Sequence, residues 1–210
     1  AYHALPDFAS SKGEATGALY GLSTMVFGII KEFKPDYIFA AFDLPKPTYR
    51  HAVYADYKSG RKALDDNLIS QIKKSREVFQ AFNIPILEKE GYEADDVIGT
   101  LSTKLSKEKD LEIIIASGDM DTLQLVIDDK VKVFTLKKGI KDTVLYDEKT
   151  VIERFGFKPE QIPDYKGLRG DTSDNIIGVK GIGEKTGTDL IQKYKTIENL
   201  YKVLAKNEKK

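Results

Sequence analysis

Over its first two-thirds the chain alternates short apolar runs with amphipathic segments, and this alternation constrains the fold more than any other feature. Residues 14–33 place Ala15, Leu19, Leu22, Val26 and Ile30 on one face at helical spacing, and Pro35 stops the helix. The apolar, aromatic run 37–42 then reads as a buried strand ending at Asp43. A helix over 68–82, a strand over 84–87, a helix over 93–106 and the clearest buried strand, over 111–116, follow. Next come a short helix over 119–127, a strand over 131–134 and a small extra strand over 144–146. Strands alternating with helices predict an α/β fold with a mostly parallel sheet covered by helices. From Glu148 onward the pattern is helical and punctuated by glycines, which predicts a helical subdomain.

The 210 residues suit one compact α/β domain with a small helical appendage, and a hydrophobic fraction of 41% supplies an ordinary core. No apolar run approaches the ~20 residues that span a bilayer. The absence of cysteine removes disulfides, a thiol nucleophile and thiolate zinc sites, and it fits a reducing cytoplasm. Two histidines far apart, His3 and His51, argue against a His-rich zinc centre. The 33 basic and 33 acidic residues cancel, whereas DNA-binding proteins are more often basic. A DNA-binding role therefore requires the signs to be segregated, acids on metals and bases on phosphates.

The acids are segregated. Asp43 ends the strand 37–42; Glu93, Asp95 and Asp96 open the helix after the strand 84–87; Asp119 and Asp121 follow the strand 111–116. Asp171 and Asp174 lie in the glycine-bounded loop 169–175. The first three groups lie just past the carboxyl ends of predicted parallel strands, the edge where open α/β sheets bind ligands. They are expected to converge there. Carboxylates ~4 Å apart at an effective dielectric near 20 repel by roughly 4 kcal/mol per pair, so such a site must protonate or hold cations. All-oxygen ligands favour Mg²⁺ or Mn²⁺, and carboxylates around two ions ~3.5–4 Å apart describe phosphoryl transfer. Each group also has an ordinary reading by itself: helix-dipole partners for Glu93, Asp95 and Asp96, caps for Asp119 and Asp121, turn residues for Asp43, Asp171 and Asp174.

Between Asp43 and Leu68, Lys46, Arg50, Lys58, Arg61 and Lys62 interleave with Tyr49, Tyr54 and Tyr57. Lysine and arginine suit phosphates, and tyrosine stacks on bases. If residues 54–61 are helical, Lys58 and Arg61 share a face, and a phosphate at the metal edge is within their reach. A solvated basic loop is the plain alternative. The turn Gly178-Val-Lys-Gly-Ile-Gly-Glu-Lys-Thr186 sits between helical segments; its glycines admit close backbone approach, and Lys180 and Lys185 add charge. It lacks the Walker ending, and suits a hairpin that grips a DNA backbone without reading sequence, or simply a glycine-capped linker.

Phe42-Asp43, Tyr57-Lys58 with Arg61, Gly91-Tyr-Glu-Ala-Asp-Asp-Val97, Gly118-Asp-Met-Asp121, Gly170-Asp-Thr-Ser-Asp-Asn175 and the glycine turn together resemble the 5′-nuclease domain of bacterial DNA polymerase I, in the flap endonuclease superfamily. The resemblance runs in register over nearly the whole chain. It implies a PIN-like catalytic domain over 1–146 with a helical arch at about 44–67, and a helical DNA-binding subdomain over 147–210 with a helix-two-turn-helix element. It implies metal-dependent hydrolysis of DNA phosphodiesters at 5′ flaps or nicks in replication and repair, as a monomer in the bacterial cytoplasm. Asp43, Glu93, Asp95 and Asp96 would hold one metal region, and Asp119, Asp121, Asp171 and Asp174 the second. Lys58 and Arg61 would face the scissile phosphate; Arg50 and Tyr57 would contact substrate. Gly178, Lys180, Gly181, Gly183, Lys185 and Thr186 would hold downstream duplex, with a K⁺ on the turn's carbonyls, and a polymerase domain on the same chain would be a natural neighbour.

The sequence departs from that pattern in places. The family's first strand ends in Asp-Gly just upstream of a segment like Tyr2-His-Ala-Leu5, so this strand and its metal-ligand Asp are expected to be missing here. That expectation motivates a rival reading, a non-catalytic DNA-junction binder. A weaker rival is a small-molecule phosphatase using Asp119 and Asp121 as nucleophile and acid. Leu64 and Ile177 stand where proline is common, and Gly187 where alanine is common.

Overall fold

The computed structural model describes residues 8–61, 63–138 and 142–207 and places the periodicity of 14–33 in helix α1 (Gly17–Phe33). The chain divides into two compact units, each assembled from separated stretches. One comprises Ala1–Thr48, Lys62–Val97 and Leu136–Thr143; the other comprises Tyr49–Arg61, Ile98–Thr135 and Val144–Lys210. Tyr2-His-Ala-Leu5 and Lys62 lie outside the described residues.

In the first unit α1 packs on α3 (Asp66–Ala81). Asp65 caps α3, its carboxylate accepting from the Asn67 N–H at 2.8 Å. Buried Gln71 ties the two helices by accepting from the Ala18 N–H at 2.8 Å, which satisfies a donor in the first turn of α1. Beside them β1 (Ala40–Ala41) pairs in parallel with β2 (Ile86–Leu87). Val26, Ala40 and Ile84 form the core, with Ile38, Phe42 and Phe79 packed against it and the Phe42 and Phe79 rings edge to face at 5.4 Å. The strand expected over 37–42 is thus shorter than its apolar run. Tyr37 is 85% exposed, and the ladder begins only where the Ala40 N–H reaches the Pro85 carbonyl at 2.9 Å. Pro85 has no N–H to return, so pairing cannot extend further that way. Helix α4 (Ala94–Leu105) begins seven residues after Leu87, with Asp95 and Asp96 in its first turn.

In the second unit β3 (Ile113–Ala116) pairs in parallel with β4 (Val131–Lys138), which also neighbours β5 (Asp142–Tyr146). Both helix-separated pairings, β1–β2 and β3–β4, are parallel, as the alternation requires. A 3₁₀ helix over Met120–Leu125 replaces the α-helix expected over 119–127. Ile115, Leu123, Val131, Val133, Val151 and Tyr165 anchor one core, to which α5 (Glu148–Phe155), α6 (Ile162–Arg169) and α7 (Glu184–Tyr194) contribute. The last helix, α8 (Ile197–Asn207), packs on α7.

Two features of this unit matter for the site. Residues 54–61 are not helical; after the short α2 (Tyr49–Val53) the chain runs through successive turns, and Lys58 adopts a left-handed φ of 58° that breaks any helix. And a two-residue hairpin, β6 (Gly170–Asp171) with β7 (Ile176–Ile177), closes the loop between α6 and the glycine turn.

Candidate active site

The first unit gathers one set of carboxylates. Asp43 follows β1 by two residues, and its Oδ1 accepts from the Ala94 N–H at 2.7 Å. That N–H is an orphan donor at the start of α4, so Asp43 is drawn against the segment that carries Glu93, Asp95 and Asp96. Asp96 folds back to accept from the Glu93 N–H at 2.9 Å. Asp96 thus takes a helix-start role, and Asp43 and Asp96 meet at one helix terminus.

The second unit gathers the other set. Asp119 follows β3 and caps the 3₁₀ turn, its Oδ1 accepting from the Asp121 N–H at 2.9 Å. The capping role weighed for Asp119 is thus present. Asp121 and Asp171, fifty residues apart, meet through Lys166 of α6. The Lys166 ammonium donates to Asp121 Oδ1 and, at 2.6 Å, to Asp171 Oδ2. Ser173 serves the other oxygen of Asp171, its N–H at 2.9 Å and its hydroxyl at 2.6 Å from Oδ1. Burial pulls the Asp171 pKa upward, but Lys166 and Ser173 together outweigh it and bring it to about 2. Asp121 goes the other way: burial, with the charges of Asp119 and Asp171, raises it beyond what Lys166 takes back. Burial alone would lower Lys166, yet its two carboxylate partners hold it above its ordinary value.

Asp174 belongs to a different contact. Tyr57 donates to its Oδ2 at 3.0 Å, Arg61 Nη2 to its Oδ1 at 2.6 Å, and the Lys58 N–H to its carbonyl at 3.0 Å. Arg61 Nε also reaches the Ser173 carbonyl at 3.3 Å. Asn175 closes the clasp, donating to the Asp56 carbonyl at 2.9 Å and the Ser59 hydroxyl at 3.0 Å. The turns of 54–61 thus wrap the Asp171–Asn175 loop and set the Arg61 guanidinium beside Asp174, while Lys58 meets the loop through its backbone N–H; the helix that would give the two one face does not form. Arg50 lies over the Tyr49 ring at 4.7 Å, and Lys58 over the Tyr57 ring at 4.9 Å.

The glycine turn leads from this hairpin into α7. Gly170 has a φ of 84°, and a Cβ on Gly178 would lie 2.3 Å from its nitrogen, so two backbones pass where no side chain fits. The Val179 N–H donates to the Leu168 carbonyl at 2.8 Å, the φ of Gly181 is 87°, and Gly183 precedes α7. Lys180, Lys185 and Thr186 are exposed.

Among the described residues no three His, Asp or Glu side chains stand close enough together to hold a metal ion. The donors nonetheless suit one. They are carboxylate oxygens, the ligands of hard divalent cations, and between Asp121 and Asp171 a cation, the Lys166 ammonium, already lies. Lys166 and Ser173 were not singled out from sequence. The available signal was a lysine five residues before Asp171, just upstream of the loop 169–175.

The family of 5′-3′ exonucleases matches the whole length: its N-terminal resolvase-like domain over residues 1–156 and its C-terminal SAM fold over 157–210. The chain belongs to the 5′-3′ exonuclease family. It is 41% identical to the 5′-3′ exonuclease of Aquifex aeolicus over 201 residues, 96% of this chain and 68% of that protein. It is 46% identical to DNA polymerase I of Caldicellulosiruptor bescii over 211 residues, 98% of this chain but 24% of the relative. The chain thus spans about a quarter of the polymerase relatives it matches. In fold it is similar to T5 5′-exonuclease, solved with bound divalent zinc, with a TM-score of 0.76 at 23% identity over 88% of this chain and 70% of that one. It is also similar to the catalytic core of Rad2 in complex with DNA substrate, with a TM-score of 0.55 at 19% identity over 93% of this chain and 59% of that one. The mixed α/β fold expected from the sequence is that of this family. No helix among the described residues is long and apolar enough to cross a membrane.

Proposed function

We propose that this chain is a structure-selective 5′ nuclease that hydrolyses DNA phosphodiesters at 5′ flaps or nicks, in replication and repair in the bacterial cytoplasm. The observation that supports this reading is the clasp of Tyr57, Lys58 and Arg61 on the loop of Asp171 and Asp174, in which the Arg61 guanidinium lies against the Asp174 carboxylate. On this reading the acids form two ligand sets, Asp43, Glu93, Asp95 and Asp96 in one and Asp119, Asp121, Asp171 and Asp174 in the other. Residues 1–146 would supply the catalytic domain, with the arch at 44–67, and 147–210 the helical DNA-binding part.

Bound at these carboxylates, Mg²⁺ or Mn²⁺ would lower the pKa of water and neutralise charge on the phosphate. Arg61 and Lys58 offer cations to the scissile phosphate, where charge grows during in-line displacement. Arg50 would line the path of the 5′ strand; Tyr57, expected from the sequence to contact substrate, is buried with its hydroxyl on Asp174, and it would act by holding that acid rather than by stacking on a base. The turn from Gly178 through Gly181 and Gly183 to Thr186 presents backbone N–H groups, with Lys180 and Lys185, to the phosphates of downstream duplex. Its carbonyls would accept K⁺. A polymerase domain on the same chain, as in the relatives named DNA polymerase I, would fill or seal the product gap. The protein would act as a monomer.

The test is cleavage of a 5′-labelled flap DNA beside a blunt duplex of equal length, in Mg²⁺ and in chelator. Mg²⁺-dependent cleavage at the flap junction, leaving a 5′-phosphate on the retained strand, is the expected result. Flap binding with no turnover in either Mg²⁺ or Mn²⁺ would turn the assignment to a junction-binding protein.

A further inference from the structure

The Lys166 ammonium lies between Asp121 and Asp171, donating to one carboxylate oxygen of each. Each oxygen of Asp171 is engaged: Ser173 donates twice to Oδ1, and Lys166 donates to Oδ2. The Asp171 oxygen that Ser173 leaves open is therefore the one the ammonium holds. On Asp121 the ammonium holds Oδ1. The three side chains are only partly exposed, 31% for Lys166, 29% for Asp121 and 12% for Asp171, so water screens them weakly.

Two facing carboxylates with no cation between them repel, and a double positive charge set against an ammonium at the same oxygens repels more strongly still. One cation at a time fits. Lysine is suited to alternate with an ion because its ammonium is a compact point charge on a flexible four-carbon stem, whereas an arginine fork would stay fixed to its carboxylates. We propose that Lys166 is a positioning residue whose ammonium holds Asp121 and Asp171 as a pair and then yields those oxygens to the divalent ion, so that it sets the affinity of that ion. The proposal rests on the nuclease reading in one respect, that Asp121 and Asp171 are metal ligands.

Mn²⁺ binding, followed by calorimetry and by the electron spin resonance of free Mn²⁺, tests it in the unmutated protein, in K166M and in K166R, with D121N marking which bound ion belongs to this pair. The expected result is that K166M binds that ion about tenfold more tightly, the displaced competitor being gone, while K166R gains nothing. The chelator-treated K166M protein should melt lower than the parent and gain more from added Mn²⁺. Unchanged or weaker Mn²⁺ binding in K166M, or an equal gain in K166R, overturns the proposal. Should K166M fail to fold, acetylation of the unmutated protein read by mass spectrometry serves instead: Lys166 should label several-fold faster in Mn²⁺ than in chelator, and an unchanged or slower rate overturns the proposal. If the unmutated protein binds no ion that D121N removes, the metal reading of this pair falls, and the proposal with it; if it does bind that ion, a negative result counts against the role of Lys166 alone.

Discussion

Arg61 grips Asp174 across 113 residues of sequence, its Nη2 lying 2.6 Å from the Asp174 Oδ1 while its Nε reaches the Ser173 carbonyl. An arginine expected to meet a phosphate is thereby stationed on an acid expected to meet a metal. The Arg61 side chain is 54% exposed, so the pair itself contributes little to stability, about 0–1 kcal/mol. Its value lies in where it holds the guanidinium.

R61A should therefore lower single-turnover flap cleavage by roughly 10²–10³, as loss of one transition-state cation does, while shifting unfolding by no more than ~1 kcal/mol. Single-turnover kinetics and urea unfolding check both parts. A large loss of stability with proportionate loss of cleavage would show a structural role instead.

Much of this arrangement is legible in the sequence, and the rest is not for a physical reason. Helices α1, α3 and α4 and strands β3 and β4 announce themselves through apolar spacing, which is local information. The position of Asp43, Asp119 and Asp121 just after strands follows from the same spacing. The contacts that shape the site join residues far apart, Asp43 to Ala94, Asp121 to Lys166, Arg61 to Asp174, and no periodicity records them. Lys166 and Ser173 meet Asp171 through side-chain contacts, and nothing in the local pattern marks them. The helix imagined over 54–61 fails because Lys58 takes a left-handed backbone conformation, with its N–H turned to the Asp174 carbonyl, a tertiary demand that propensity does not reveal.

Gly178 is required by a close backbone approach. A Cβ there would lie 2.2 Å from the Arg169 carbonyl carbon and 2.3 Å from the Gly170 nitrogen, atoms that cannot rotate aside. G178A should destabilise the protein by about 3 kcal/mol, the upper end for overpacking, and weaken duplex binding with it. Unfolding in urea and fluorescence anisotropy with duplex DNA measure the two effects.

Lys180 and Lys185 should act on DNA as plain charges. Replacing either with alanine should weaken binding alike across sequences and reduce the slope of log affinity against log salt by about one. Anisotropy titrations at several salt concentrations give that slope; a change confined to one DNA sequence would mean base readout.

The low pKa of Asp171, about 2 against an ordinary 3.8, carries a signed consequence for chelator-treated protein. A depressed carboxylate binds fewer protons folded than unfolded, so its stabilisation is complete above pH ~4 and is lost as pH falls through ~2. Carboxyl-carbon NMR should find Asp171 titrating near the bottom of that window. In K166M the midpoint should rise, because burial would then act against a weaker set of partners.

The most direct test of the account is the double variant D119A/D121A on a 5′-flap substrate in Mg²⁺. Asp119 caps and Asp121 lies within the 3₁₀ helix that follows β3, and neither belongs to the clasp of 54–61 or to the glycine turn that would hold DNA. The account predicts that flap cleavage disappears while flap binding stays within a few-fold of the parent. Cleavage retained at near-parental rate by a folded double variant would contradict the assignment of these carboxylates to the catalytic site.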